Sequence, residues 1–308
     1  MRLPLLSAFG VILSMLGCST VTTPNVEHVP TRPEHLGGVA VEYSVWTPPD
    51  FRDDEELPLV VFLHGGGDDA RTFEERGLAV KLNEAVSAGT IPRAVIVFPQ
   101  GDDGFWVNWH DGTKRYEDWI VDRLMPEVTE RWHTASCPEA CHVMGVSMGG
   151  HGALRFALHR PESFASVTAL SAPIFDAPRM RDFAENRLFA MFIPMRRIFG
   201  PADSDRSLRD EDFYARWQSA RDVGMPMFIS WGTGDRNGIG ISNRRFVRHM
   251  REHEITHNAF VYDGDHSWVS WTPVIQEALR VQVGGQSLAA EYAAAIPEVD
   301  ANEAASNE

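Results

Sequence analysis

Residues 141–159 read CHVMGVSMGGHGALRFALH. An apolar run, Cys141–Val146, meets a helical stretch, His151–His159, across Gly145-Val146-Ser147-Met148-Gly149-Gly150. A G-x-S-x-G set between a strand and a helix is the context of a nucleophile elbow. The serine then sits on a sharp turn with its oxygen raised above a sheet. The chain two residues to either side comes too close for side chains, which asks for glycine at 145 and 149. The following helix aims its first N–H groups at the reaction centre, where Met148 can help to hold an oxyanion.

Outward from the elbow, short apolar runs alternate with amphipathic stretches. Strands are expected at Val39–Trp46, Leu59–His64, Ala94–Pro99, His142–Val146, Ser166–Ser171, Met227–Trp231 and Ala259–Tyr262. Helices are expected over 72–88, 115–133, 148–159, 242–253 and 273–282. Several strand runs are continuously apolar, as parallel strands covered on both faces require. Tyr116–Trp132 is the clearest helix, and Pro126 should kink it or mark a new first turn. Residues 174–224 interrupt the rhythm with Met, Phe and Arg clusters and read as an inserted cap of short helices. The fold class is α/β, a mostly parallel central sheet with helices on both faces and a small helical cap.

A serine hydroxyl is a weak nucleophile at neutral pH and needs a base held by an acid. In elbow-bearing hydrolases the chain order is serine, acid, histidine. Asp235 follows the strand Met227–Trp231, and His266 follows Ala259–Tyr262, so both fall where that order requires. Asp263 and Asp265 are rival acids, but so near His266 that they should shape its loop instead. His151, just past the elbow, should pack or hydrogen-bond near the site. His64-Gly65-Gly66-Gly67 ends another strand and can supply a second oxyanion donor, from Gly66 or Gly67. Trp106, Trp231 and Trp268 are candidates for lining a substrate cleft, with core packing as the alternative. His253-Glu254-Ile255-Thr256-His257 matches a zinc-protease pattern that needs both histidines on one continuous helix. Here the helix should end near His253, so no metal and no cofactor are expected.

The 308 residues carry 28 basic and 43 acidic side chains, a formal charge of −15 that argues against a nucleic-acid partner. Leu3–Leu16 is mostly apolar, too short to span a bilayer but suited to the core of a signal peptide. Met15-Leu16-Gly17-Cys18 resembles a bacterial lipobox, which would make residues 1–18 a lipoprotein signal and Cys18 the lipidated first residue of the mature chain. The expected address is the cell envelope, with the membrane as partner through the lipid; the alternative is a plain secretory signal. Residues 19–37 read as a flexible spacer, 38–284 as the catalytic domain, and 285–308 as an acidic disordered tail. In an oxidising compartment Cys137 and Cys141 can close a small disulfide loop. Two thiols alone make a poor zinc site.

The ordered set VVFLHGGGDD, YEDWIVDRLMPEV, HVMGVSMGGHGALRFALHRPESFASVTALSA, ISWGTGDR and GDHSWVSW resembles the esterase D family of α/β-hydrolases. That family includes S-formylglutathione hydrolases, feruloyl and acetyl-xylan esterases, siderophore esterases and mycolyltransferases. The likeness covers roughly residues 38–282, and the cap matches no substrate-specific pattern. It implies Ser147 as nucleophile, His266 as general base, Asp235 as orienting acid and Met148 as oxyanion donor. The implied activity is hydrolysis of a small-molecule or carbohydrate ester through an acyl-serine. Acyl transfer by the same triad, or a dead carbohydrate- or peptidoglycan-binding lipoprotein, are the alternatives. The envelope address argues against the cytosolic formylglutathione role.

Overall fold

The apolar runs pair into one eight-stranded sheet in a computed structural model that describes residues 23–186, 191, 193–201 and 212–293. The strands are β1 (Val26–Thr31), β2 (Val41–Trp46), β3 (Leu59–Leu63), β4 (Val95–Pro99), β5 (Cys141–Val146), β6 (Ser166–Leu170), β7 (Met227–Gly234) and β8 (His257–Asp265). Their order across the sheet is β1-β2-β4-β3-β5-β6-β7-β8. The β1–β2 and β2–β4 pairs are antiparallel, and every later pair is parallel. The helices are α1 (Thr72–Glu75), α2 (Leu78–Ser87), α3 (Tyr116–Trp119), α4 (Met125–Trp132), α5 (Met148–His159) and α6 (Ala177–Glu185). After them come α7 (Met195–Ile198), α8 (Phe213–Asp222), α9 (Asn237–Glu252), α10 (Trp268–Ala278) and α11 (Ala290–Ala293). The described part of the expected cap thus consists of α6, α7 and the helix α8.

Alternate residues of each central strand feed two separate cores, one on each face of the sheet. Leu59, Val61 and Leu63 pack into a core shared with Trp119, Leu154 and Phe246, whereas Val60 and Phe62 join Leu82, Trp271 and Ile275 on the other side. That two-sided burial is why the runs are apolar at every position rather than every second one. A buried ion pair, Glu117 with Arg155, ties α3 to α5 within the first core. Pro126 lies in the first turn of α4, directly after a π-helical turn at Ile120–Leu124. The wide turn absorbs the missing proline N–H, so the helix resumes without a break. A disulfide joins Cys137 to Cys141 at the entry to β5.

Two boundaries differ from expectation. The spacer expected over 19–37 contains β1, whose Pro30 faces Glu42 in the register with β2. An edge strand needs hydrogen bonds on one side only, so it tolerates proline and polar residues. At the other end, α11 lies inside the expected tail: Ala289 N–H donates to Glu277 Oε1 at 2.7 Å, and the Tyr292 ring sits 4.5 Å from that of Phe260. The expected signal segment with Cys18, and tail residues 294–308, lie outside the described residues. No helix among the described residues is long and apolar enough to cross a membrane. The His253–His257 motif is broken as expected: His253 caps α9, Glu254 has φ 55°, and His257 opens β8.

β1 is fastened by side chains as well as by its ladder. His28 Nδ1 pairs with Ser44 Oγ at 2.8 Å and its Nε2 with Glu74 Oε2 at 3.1 Å, while Asn25 bonds to Asn83 at 2.8 Å. A chain starting at Arg32 should therefore melt about 5 °C or more below one starting at Thr23, since 1 kcal/mol is roughly 2–4 °C in a domain of this size. Equal melting temperatures in a thermal scan would show that β1 contributes nothing to the fold.

Candidate active site

Ser147 stands between β5 and α5 with φ 53° and ψ −122°, a conformation that non-glycine residues rarely adopt. Its N–H donates to Leu170 O at 2.8 Å and its carbonyl accepts from His151 N–H at 3.1 Å, so the turn is held from both sides. Gly145 and Gly149 flank it at points where a Cβ would strike backbone. The hydroxyl Oγ lies 2.9 Å from His266 Nε2, and His266 Nδ1 lies 2.7 Å from Asp235 Oδ1. Residues 119 and 31 positions apart in the chain are thus joined in one line of hydrogen bonds.

The acid and histidine reach that line because β7 and β8 run three residues beyond their expected ends, to Gly234 and Asp265, which face each other in the ladder. Asp235 and His266 are the next residues along. Burial alone would raise the Asp235 carboxyl, but the hydrogen bond from His266 and the nearby Ser171 hydroxyl hold it below the ordinary carboxylate range. An ionised Asp235 requires the proton on His266 Nδ1, which leaves the Nε2 lone pair for the serine hydroxyl. The rival acids are engaged elsewhere. Asp265 accepts from Ser267 Oγ and Ser270 Oγ, and Asp263 from Thr233 Oγ1 at 3.3 Å.

The loop after β3 supplies the other wall. A carbonyl can only accept and a backbone N–H can only donate. His64 therefore carries its proton on Nδ1, given to Gly65 O at 2.8 Å, while Nε2 accepts from Gly101 N–H at 3.0 Å. Burial lowers the pKa of this ring and keeps it neutral. Gly67 N–H is donated to Asp103 Oδ1 at 2.7 Å, while the neighbouring Gly66 is exposed and Met148 opens α5 beside Ser147. Asp68 closes the mouth: its carboxylate takes the Trp268 indole N–H at 3.2 Å.

The tryptophans expected to line a cleft are corrected by their burial. Trp106 and Trp231 are 0% and 1% exposed, and Trp268 is 8% exposed against Phe62. Trp106 instead donates its indole N–H to His64 O at 3.2 Å and so positions the glycine loop from beneath. His151 is buried among the rings of Phe105, Phe175 and Phe213, with Nδ1 3.0 Å from Pro173 O. Sequence reasoning missed Ser171, which takes the Trp271 N–H at 3.0 Å and pairs with Tyr262 Oη at 3.0 Å behind the acid. Its place at the C-terminal edge of the strand beside the elbow strand was the available signal.

Residues 38–281 match the model of the Esterase family. Esterase Rv1288 of Mycobacterium tuberculosis is 31% identical over 147 residues, 46% of this chain and 30% of that protein, so the match spans less than a third of the relative's length. The acetyl esterase of Caldicellulosiruptor saccharolyticus is 23% identical over 239 residues, 74% of this chain and 84% of that one. Among solved structures, the fluorophosphonate-binding serine hydrolase FphF of Staphylococcus aureus superposes with a TM-score of 0.70 at 22% identity. That superposition covers 84% of this chain and 98% of FphF, and it establishes the α/β-hydrolase fold.

Asparagine at the acid position keeps the shape but can turn its amide towards the ring and favour the wrong tautomer; the precedent in a serine protease is a loss of about 10⁴ in kcat. Asp235→Asn should lose about a hundredfold more activity than Asp263→Asn or Asp265→Asn, all three remaining folded by circular dichroism. An active Asp235→Asn beside a crippled neighbour would exclude the line of hydrogen bonds as the catalytic relay.

Proposed function

The chain belongs to the Esterase family, and we propose that it is a serine carboxylic-ester hydrolase working through an acyl-enzyme on Ser147. The carrying observation is the unbroken Asp235–His266–Ser147 hydrogen-bond line. His266 Nε2 takes the hydroxyl proton as Ser147 Oγ bonds to the ester carbonyl carbon. The carbonyl π electrons move to oxygen, where Met148 N–H and Gly66 N–H receive the charge. Asp235 stabilises the imidazolium. His266 then gives its proton to the leaving alcohol as the C–O bond breaks. Water repeats the sequence against the acyl-serine, releasing the acid and restoring Ser147.

The character of the mouth bears on the substrate. Asp68 and Asp103 flank the glycine loop, while Asp263 and Asp265 are exposed beside His266. Four carboxylates there favour neutral esters, such as those of sugars, over anionic ones. A solved ferulic acid esterase also resembles this chain, with a TM-score of 0.69 at 20% identity, so a feruloyl ester belongs among the esters to test. The anionic mouth tells against a glutathione thioester, which carries carboxylates of its own. Acyl transfer would use the same first half-reaction with an alcohol in place of water. A purely binding role has no use for the aligned hydroxyl, imidazole and carboxylate. We further propose that Cys18 carries a lipid and that the enzyme works on the cell envelope.

A panel of p-nitrophenyl, feruloyl, acetylated-sugar and siderophore esters tests the reaction, with and without Ser147→Ala. The variant should lose about 10³-fold or more in kcat with its melting temperature nearly unchanged, and should no longer label with a fluorophosphonate. Activity within about tenfold of wild type would sink the assignment.

Cys18→Ser tests the anchor separately, because multiple acyl chains hold a protein on a membrane far more firmly than one. The variant should either stay uncleaved or become soluble. Unchanged detergent partitioning and gel mobility would remove the lipid from the picture.

A further inference from the structure

α9 starts at Asn237, two residues after Asp235, and ends at Glu252 with His253 as its cap. Its last turn presents His249, Glu252 and His253, a spacing of three and four residues that brings side chains to one face of a helix. One ligand atom from each of the three lies within 4.8 Å of the others. The two imidazole rings are 4.2 Å apart between centroids. His253 Nδ1–H donates to the His249 carbonyl at 2.8 Å, which leaves its lone pair on Nε2. The His249 ring lies against the Tyr214 backbone, and its Nε2 is buried with no hydrogen-bond partner among the described residues. A buried polar atom in that condition calls for an explanation.

The surroundings fit a cation. α8 roofs the pair with Tyr214, 5.1 Å from the His249 ring, and Trp217, 4.5 Å from the His253 ring, giving the apolar outer shell typical of metal sites. The C-terminal turn of a helix is the negative end of its dipole and favours positive charge. Asp212, which caps α8, adds its carboxylate field at His249 beside that of Glu252. Arg251 is the opposing charge on the same turn, and it is exposed.

We infer that His249, Glu252 and His253 form a binding site for one divalent transition-metal ion of the zinc class. Two imidazoles and one carboxylate are borderline ligands that select Zn²⁺, Co²⁺, Ni²⁺ or Cu²⁺ over Mg²⁺ and Ca²⁺. A tetrahedral zinc centre needs its ligand atoms about 3.4 Å apart, which turning the exposed Glu252 side chain and small movements of the rings can supply. Water completes the coordination. The ion pins the end of the helix whose first turn follows the acid Asp235, so its role is to stiffen the fold rather than to enter the ester reaction. The neighbouring His257 is not part of the set: it opens β8, and its Nδ1 pairs with Ile255 O at 2.7 Å.

The test uses the full chain, stripped with a chelator and titrated with Zn²⁺ by calorimetry, with thermal unfolding in parallel. One Zn²⁺ should bind per chain and raise the melting temperature, Mg²⁺ should do neither, and Co²⁺ should give the visible absorption bands of a four- or five-coordinate site. His253→Gln and Glu252→Gln should each weaken Zn²⁺ binding about tenfold or more and bleach the Co²⁺ bands, while His257→Gln binds like wild type. Both weakened variants alter side chains that are at least partly exposed, so they keep the test open should His249→Gln fail to fold. Absence of Zn²⁺ binding, or wild-type affinity in His253→Gln, would overturn the site.

Discussion

A Cβ added at Gly149 would stand 1.9 Å from Leu63 O, and one added at Gly145 would stand 2.1 Å from Gly149 O. The end of β3, the end of β5 and the first turn of α5 are therefore in backbone contact, with no side chain between them. This contact fixes the distance between the serine and the glycine loop that faces it. It also forces Ser147 into its positive-φ turn, a strain of about 1–3 kcal/mol that the surrounding hydrogen bonds must hold. The same device recurs on the far side of the site, where a Cβ at Gly232 would lie 2.3 Å from Gly264 O. There it presses the acid loop against the histidine loop. Three functional groups from distant parts of the chain meet because the elbow helix sits on the ends of β3 and β5, and the acid loop on the histidine loop, more closely than side chains allow.

Trp106 extends that constraint downwards. Added Cβ atoms at Gly101 and Gly152 would come within 2.4 Å and 2.6 Å of its side chain, so the indole fills a slot cut by two glycines. Its N–H holds the His64 carbonyl, and the His64 ring stands edge-on to it at 4.8 Å. The glycine loop thus rests on a large buried aromatic, whose loss would cost about 3–5 kcal/mol in packing alone. Ordering the donors during folding, rather than during the reaction, is what makes such a loop effective.

The elbow, the order of strands and helices, and the positions of Asp235 and His266 were legible in the sequence because each rests on local chemistry. Glycine spacing, apolar runs and strand-end residues carry their meaning within a few positions. What was not legible depends on partners far along the chain. β1 was hidden because an edge strand can contain Pro30 and polar residues. The start of α9 was set too late because Gly238 and Gly240 weaken its first turn. That of α10 was also late, because Pro273 suggests a first turn yet lies in the helix interior. That Gly67 N–H is engaged was not legible, because its acceptor Asp103 lies 36 residues away. The tryptophans were equally apolar as lining or as core, and only the packing around them separates the two.

The register of the first two strands orients the whole molecule. Val26 faces Trp46, and Trp46 faces Ile96 near the beginning of β4, so the chain enters the sheet at the edge opposite the one bearing Ser147, Asp235 and His266. A strand of five or six residues is about 17–20 Å long, and that length separates the point of entry from the reacting groups. Just before β1 the chain turns, with Val26 N–H donating to Thr23 O at 3.0 Å and Thr23 N–H bonding to Glu74, the residue that also meets His28. Changes along this edge can therefore alter how firmly the sheet begins without moving the serine, the acid or the histidine.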